Sequence, residues 1–295
     1  MNGLKIGGRL IEIEMLRILI ALIGTGICTF FDIFNKKNIP DKVLYSFLLI
    51  SILVNILDPS ILIEKLFVGL VLIFALYLFY RVGQIGGADV FVIASIFFSL
   101  PGIRDPIISS PPLPEDLLPI KIPSILSILA ISAFLFSIFI FVKYLPRIVR
   151  KIVRGEIKLG VVNLAQTGLL LIFYLILFIV AWPMIGVLIS VKYLLLIGIV
   201  VFLMIFFVLF KDDMLEEMIR WRKKVNVEDV IAIEKLDEKI VKKYSIGRLV
   251  TKEQLGKMKK LEIRWPVLDL PMFLPFVFIS LIIYILFGDI LFYPL

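Results

Sequence analysis

The sequence contains no histidine and a single cysteine, Cys28, and these two absences remove most familiar enzyme chemistry. Without histidine, neither a Ser-His-Asp triad nor a Cys-His pair can form, and zinc sites that need imidazole are excluded. One cysteine makes neither an internal disulfide nor a thiolate metal site, and its apolar surroundings predict a small buried core residue. Carboxylates, hydroxyls, lysines and the backbone remain as catalytic groups, and no metal or cofactor is expected.

Charged residues are also scarce, at 19% of the 295 residues, whereas 61% are hydrophobic and the mean hydropathy is +1.06. This balance is typical of a polytopic membrane protein rather than a soluble domain. The net charge of +8 first indicates basic cytoplasmic loops, and no nucleic-acid partner is expected. The first apolar segment has no small-residue cleavage site after it, so we expect no cleaved signal peptide, and either Met1 or Met15 is the start of translation.

Apolar runs of roughly 20 residues predict eight membrane-spanning helices. The predicted spans are residues 15–34, 42–57, 66–80, 84–100, 122–142, 161–182, 194–210 and 270–291. The fold class is therefore predicted to be all-α and polytopic, with a small cytoplasmic α+β subdomain before the last helix. The predicted domains are a membrane core (1–100), an extracytoplasmic Pro-rich loop (101–121), further membrane helices (122–210), the subdomain (211–264) and the last membrane helix (265–295).

Residues 211–264 form the only sustained polar stretch, with 15 Lys and Arg against 11 Asp and Glu. Within it we expect a charged amphipathic helix at 212–224, one or two strands at 225–235 where apolar and polar residues alternate, and a helix at 252–260. With eight spans, this stretch and the basic residues 36–42, 81 and 143–158 fall on one side of the membrane. The positive-inside rule makes that side cytoplasmic and places both chain termini outside. The basic segment 143–158 is interpreted mainly as a topology-setting loop, with anionic lipid or a substrate as the alternative ligand.

Two aspartates lie near the predicted cytoplasmic face, Asp32 at the end of the first span and Asp89 at the start of the fourth. Ionisable groups in membrane segments are costly and usually functional. The register of the first span predicts that Asp32 faces the bundle. Each aspartate also has a purely structural interpretation: Asp32 as an interfacial partner of Lys36 or Lys37, and Asp89 as a cap in a glycine-rich packing patch.

Taken together, the two segments resemble the archaeal preflagellin and prepilin peptidases, which are aspartic proteases of the GxGD type. The first matching segment is Asp32 followed by Ile39-Pro40, and the second is Gly86-Gly87-Ala88-Asp89, preceded by Gly83. The aspartates are 57 residues apart with two spans between them, as in that family. Ala88 stands where the strict motif has glycine, and the seventh and sixth spans look like additions to the usual six-helix plan.

The resemblance implies a membrane-embedded aspartic endopeptidase in which Asp32 and Asp89 form the catalytic dyad. Gly83, Gly86 and Gly87 would then let the substrate backbone approach closely. The implied substrates are archaellin or type IV pilin-like precursors, which lose a short basic leader at the cytoplasmic membrane face; the subdomain is a hypothetical leader-recognition element. Without the cysteine-rich domain of the bacterial relatives, N-methyl transfer is not implied. The alternatives are an ion-coupled transporter or channel that uses the aspartates as a cation or proton site, and an inactive scaffold that retains the fold.

Overall fold

The computed structural model is mostly helical and describes residues 2–35, 38–57, 62–82, 85–100, 124–157, 160–181, 191–227, 229–258, 261 and 263–288. In these ranges, four helices are long and apolar enough to cross a membrane, and a fifth qualifies if two helices joined by a sharp bend are taken as one span. The chain is therefore consistent with membrane association. The predicted loop 101–121 and Gly83 lie outside the described residues.

Each of the eight predicted spans contains a helix. They are α1 (Asn2–Phe34), α2 (Asp41–Leu53), α3 (Leu62–Val82), α4 (Gly87–Ser99), α5 (Ser124–Val153), α6 (Val161–Ala181), α7 (Val191–Leu209) and, after the subdomain, α11 (Leu274–Phe287). Helices α1, α3, α5 and α6 have the length and composition of single spans. Helix α7 qualifies as a span only when the helix at Lys211–Met218, bent by 71° from it, is counted with it. Helices α4 and α11 are apolar but have only 13 and 14 residues, fewer than the roughly 20 that cross a bilayer unaided. The eight-span count thus stays a prediction.

The main hydrophobic core joins side chains of α1, α2, α3, α4, α5 and α11, and Cys28 is buried within it, as its apolar surroundings predict. Helix α4 occupies the centre, because every residue from 92 to 99 is buried. Close approach at this centre depends on small residues: a Cβ at Gly24 of α1 would lie 2.2 Å from the ring of Phe47 in α2. Helix α6, by contrast, packs mainly on α7, and only 6% of its apolar stretch is buried within the protein.

The polar segment folds as a small α+β unit. It comprises α8 (Lys211–Met218), β1 (Ile219–Arg222), α9 (Glu238–Tyr244), α10 (Lys252–Met258) and β2 (Trp265–Leu268). The two strands are antiparallel, with Ile219 opposite Leu268 and Arg222 opposite Trp265. Their common core contains Ile231, Met258 and Trp265. A second apolar cluster joins Ile219 and Leu268 to Tyr144 of α5 and Phe206 of α7, so the unit is attached to the ends of these helices.

Acidic residues of α8 hold the subdomain against the neighbouring helices. Glu217 pairs with Arg147 of α5 at 3.0 Å, and Asp213 pairs with Lys151 at 3.3 Å. Asp212 accepts a hydrogen bond from the Asn163 amide of α6 at 3.0 Å. The positive charge at the end of α5 is therefore partly neutralised within the protein. These ion pairs leave fewer free cations in segment 143–158 for a lipid or a substrate.

The structure corrects four boundaries. The helix predicted at 212–224 ends at Met218, and the chain continues as β1 because its next residues pair with β2. Residues 225–235 contain isolated bridges at Val230 and Ile231 and a 3₁₀ turn rather than a full strand. Residues 265–268 belong to the subdomain as β2, and the last helix starts at Leu274. Helix α5 continues to Val153, so much of the predicted loop 143–158 is helical. The predicted helix at 252–260 is confirmed as α10.

Candidate active site

Asp32 lies in the last turn of α1 and is only 7% exposed. The register of the apolar run predicts this inward position, because side chains three and four residues apart share one helix face. A lipid-facing or solvated interfacial carboxyl would be exposed. The burial of Asp32 therefore argues against a purely interfacial role. Its predicted partners Lys36 and Lys37 lie outside the described residues.

A tight turn after Asp32 leads the chain back into the core. The Asn35 side-chain amide donates to the Asn38 carbonyl at 2.6 Å, and the Asn38 N–H donates to the Asn35 carbonyl at 3.1 Å. Ile39 is buried in the main core, and Pro40 has extended backbone angles directly before α2. Proline suits this position because it lacks the N–H that a helix start leaves unpaired. The Ile39-Pro40 pair thus sets where α2 begins relative to Asp32.

Asp89 is the third residue of α4. Its Oδ2 accepts a hydrogen bond from the backbone N–H of Gly86 at 3.0 Å, which satisfies one of the donors that a helix N-terminus leaves free. The capping role proposed as the structural alternative is therefore present. It uses one carboxylate oxygen, and the other oxygen keeps its lone pairs for further partners.

Gly86 leaves the space that this carboxylate occupies. Its φ and ψ of −74° and 153° are open to any residue, so the backbone does not require glycine. A Cβ at this position, however, would lie 3.1 Å from Oδ2 of Asp89 and 3.7 Å from its Cγ. Any larger residue would push the carboxylate. Gly87 is half-buried and opens α4 as its first residue.

The fold brings the two aspartates together. Helices α1 and α4 pack against each other, and Asp32 at the last turn of one meets Asp89 at the first turn of the other. The two carboxyl groups are close enough for their charges to interact. Their chain neighbours Phe31 and Ala88 pack on the main core, as do Ile85 and the buried Ile39. Two acidic groups thus lie beside an apolar core, an arrangement in which one carboxyl can hold a proton while the other is ionised.

The dyad has no evident metal partner. Within the ranges that the structure describes, no three carboxylate or cysteine side chains are grouped so that they could hold a metal ion. Helix α11 approaches the dyad from the other side, where the Thr29 hydroxyl, one turn before Asp32, lies 3.5 Å from the Leu274 carbonyl. The chemistry available at this site is proton transfer to and from water or a substrate.

A second polar site lies at the opposite end of α4, and the sequence analysis did not find it. Lys65 of α3 is fully buried, and its ammonium donates to Oδ1 of Asn55 at 3.1 Å, to the Phe98 carbonyl at 3.3 Å and to the Leu100 carbonyl. Lys65 lies one residue before the predicted third span, 66–80. Its position directly before a long apolar run was the available signal, since an ionisable residue at membrane depth is a site hypothesis by default.

Neighbouring side chains extend this network. The Asn55 amide donates to the Ser51 carbonyl at 2.8 Å and to the Phe98 carbonyl at 2.9 Å, and the Ser51 and Ser99 hydroxyls are 2.7 Å apart. These groups satisfy carbonyls at the C-terminal end of α4, where the macrodipole also favours a cation. The network therefore fixes the end of α4 that is about 15 Å from Asp89, given 1.5 Å per residue.

Replacing Lys65 should destabilise the protein strongly. Lys65→Met keeps much of the side-chain volume but leaves Asn55 Oδ1 and the Leu100 carbonyl without their donor and the Phe98 carbonyl with the Asn55 amide alone, which should lower the free energy of unfolding by about 3 kcal/mol. Lys239→Met, on the exposed face of α9, should change it by less than about 0.5 kcal/mol. Thermal unfolding in detergent measures both. Equal stability of the two variants would mean that the network does not support α4.

The chain was compared with protein-family models, curated proteins and solved structures. No protein-family model matches this chain. No curated protein and no solved structure matches it either.

Proposed function

We propose that this protein is a membrane-embedded aspartic endopeptidase with Asp32 and Asp89 as its dyad. The observation that carries the proposal is the packing of α1 on α4, which places Asp32 in the last turn of one helix and Asp89 in the first turn of the other, close enough for their charges to interact and beside the main apolar core. Burying two acidic groups side by side costs stability, and proteins keep such pairs mainly at functional sites. A cap for α4 would need only Asp89, so capping alone does not account for Asp32.

In the proposed reaction, the ionised carboxyl takes a proton from water as the water attacks the scissile carbonyl carbon. The protonated carboxyl donates to the carbonyl oxygen, which gives a tetrahedral diol. The diol collapses as the amine leaves with a proton, and the pair returns to its starting protonation. Because the two carboxyls titrate as a unit, the roles belong to the pair rather than to either residue. No metal or cofactor takes part.

The likeness to the archaeal preflagellin and prepilin peptidases supports the substrate class. We propose that the substrates are archaellin or pilin-like precursors, cut between a short basic leader and a hydrophobic helix. A dyad at the end of α1 suits such a bond, because the helix of the precursor would lie in the bilayer and its leader in the cytoplasm. The proposed topology has eight spans, with α2, α4 and α11 as short spans, both termini outside and the subdomain inside.

Asp32→Asn and Asp89→Asn should each lower the rate of precursor cleavage by about 10²–10⁴-fold, because an amide of nearly the same shape neither takes nor gives the proton. The measurement is cleavage of a pilin-like precursor by membranes with matched amounts of each variant. Full activity of either variant would exclude the dyad. Asp-dependent ion flux without cleavage would favour the transporter alternative.

Gly86→Ala tests whether the position of the Asp89 carboxylate matters. The new Cβ would displace Oδ2 by a few tenths of an ångström, and cleavage should slow by about ten-fold while the protein remains folded. Gly168→Ala in α6 is the matched control, since a Cβ there meets nothing within 4 Å. The measurement is the initial cleavage rate at saturating precursor. Equal rates for the two variants would argue against the proposed role of Gly86.

The proposed orientation is tested by labelling single cysteines in a Cys28→Ala background. A membrane-impermeant maleimide should label Ser109→Cys, in the outer loop, in intact cells. It should label Lys239→Cys, on the exposed face of α9, only after the membrane is permeabilised. The opposite pattern would invert the topology and move the dyad to the outer face.

A further inference from the structure

A basic patch follows α8 at the start of the subdomain. It consists of Arg220, Trp221, Arg222, Lys223 and Lys224, and all five residues are exposed. Trp221 is 52% exposed, which is unusual for the largest apolar side chain in a folded unit. The proposed peptidase activity gives this patch no role, and the inference below stands independently of that activity.

The strand register decides which way the patch faces. Side chains alternate between the two faces of a strand, so Ile219 and Trp221 share one face of β1. Ile219 pairs with Leu268, and both pack on Tyr144 and Phe206 at the ends of the membrane helices. Trp221 pairs with Pro266 on this same face, two residues further along. Trp221 therefore lies on the face of β1 whose Ile219 packs on the helix ends, and its own ring is exposed beside that contact.

The four cations of the patch differ from those of α5 in their ion pairing. None of its four cations forms an ion pair within the part of the chain that the structure describes. The basic residues of α5 differ, since Arg147 and Lys151 pair with acids of α8. The charges of Arg220, Asp269 and Glu217 all act on Tyr144, so both signs of charge are present near this side chain. The exposed Lys143 lies over the rings of Phe139 and Tyr144, at 5.8 and 5.4 Å, and adds a further cation at this level.

We infer that the basic patch binds the headgroups of anionic phospholipids, with Trp221 seated in the membrane interface. Lys and Arg near a bilayer attract anionic lipid, and their N–H groups donate to phosphate oxygens. Tryptophan favours the headgroup level, where its ring is in an apolar layer and its N–H reaches water or phosphate. Trp221 lies on the face of β1 that Ile219 presents to the helix ends, and Lys223 and Lys224 follow the end of that strand, whereas Arg220 and Arg222 alternate onto the other face. The bound lipid holds the subdomain against the membrane beside the α8 ion pairs.

The test uses the full chain in nanodiscs that contain lipids brominated in the upper acyl chain. Trp182 and Trp265 are common to wild type and Trp221→Phe, so the difference between their emission spectra isolates Trp221. We expect this component to be quenched, and more strongly by brominated phosphatidylglycerol than by brominated phosphatidylcholine. The variant Arg222→Gln, Lys223→Gln, Lys224→Gln should lower that preference by about five-fold per charge removed.

The matched control removes three charges from α9 by Lys239→Gln, Lys242→Gln and Lys243→Gln. Helix α9 packs on the inner core of the subdomain through Ile240 and Tyr244, not on the membrane helices. The control should keep the wild-type preference. An unquenched Trp221 in both lipids, or equal preferences in the two triple variants, would overturn the proposal. Unchanged thermal unfolding in phosphatidylcholine discs shows that each variant is folded.

Discussion

Helix α4 must satisfy its backbone polar groups inside the protein, and both polar sites of the core follow from this constraint. Its residues 92–99 are buried, so water is not available to the C=O groups at its C-terminal end, whereas Gly86 at its N-terminal end is exposed and has its N–H paired within the protein all the same. At one end, the Asp89 carboxylate accepts a hydrogen bond from the Gly86 N–H. At the other end, Lys65 donates to the Phe98 and Leu100 carbonyls, and Asn55 donates to the Phe98 carbonyl. A negative group at the N-terminus and a cation at the C-terminus also match the helix dipole.

The proposed catalytic pair depends on this arrangement. Asp89 is held by a helix whose far end is fixed by the Lys65 network, and Asp32 is held by the final turn of α1. A shift of α4 along its axis would separate the carboxyls. Rigid support of this kind is what acid–base chemistry needs, because proton transfer is sensitive to distances of a fraction of an ångström. The apolar packing of α1, α2 and α11 around α4 then keeps the pair partly dehydrated.

The subdomain connects to this core through surfaces of a different kind. Ion pairs between α8 and α5 and the apolar contacts of Ile219 and Leu268 place it on the helix ends. The inferred lipid contact of the basic patch would add a third attachment, to the membrane. Exposed ion pairs contribute little stability each, so the apolar contacts set the position and the charges mainly set the orientation.

Hydropathy and the 3.6-residue period were enough to predict a helical chain with apolar segments, the position of each segment and the inward direction of Asp32. The sequence also indicated Asp89 through its glycine-rich segment. It did not determine the strand pairing of β1 with β2, since these segments are 42 residues apart and have only four residues each. Nor did it reveal Lys65 as a buried donor, because its partners come from the 3₁₀ turn after α2 and from the C-terminal end of α4. Which distant ends of the chain meet depends on the packing of the whole fold, since long-range contacts have no periodic signature in the sequence.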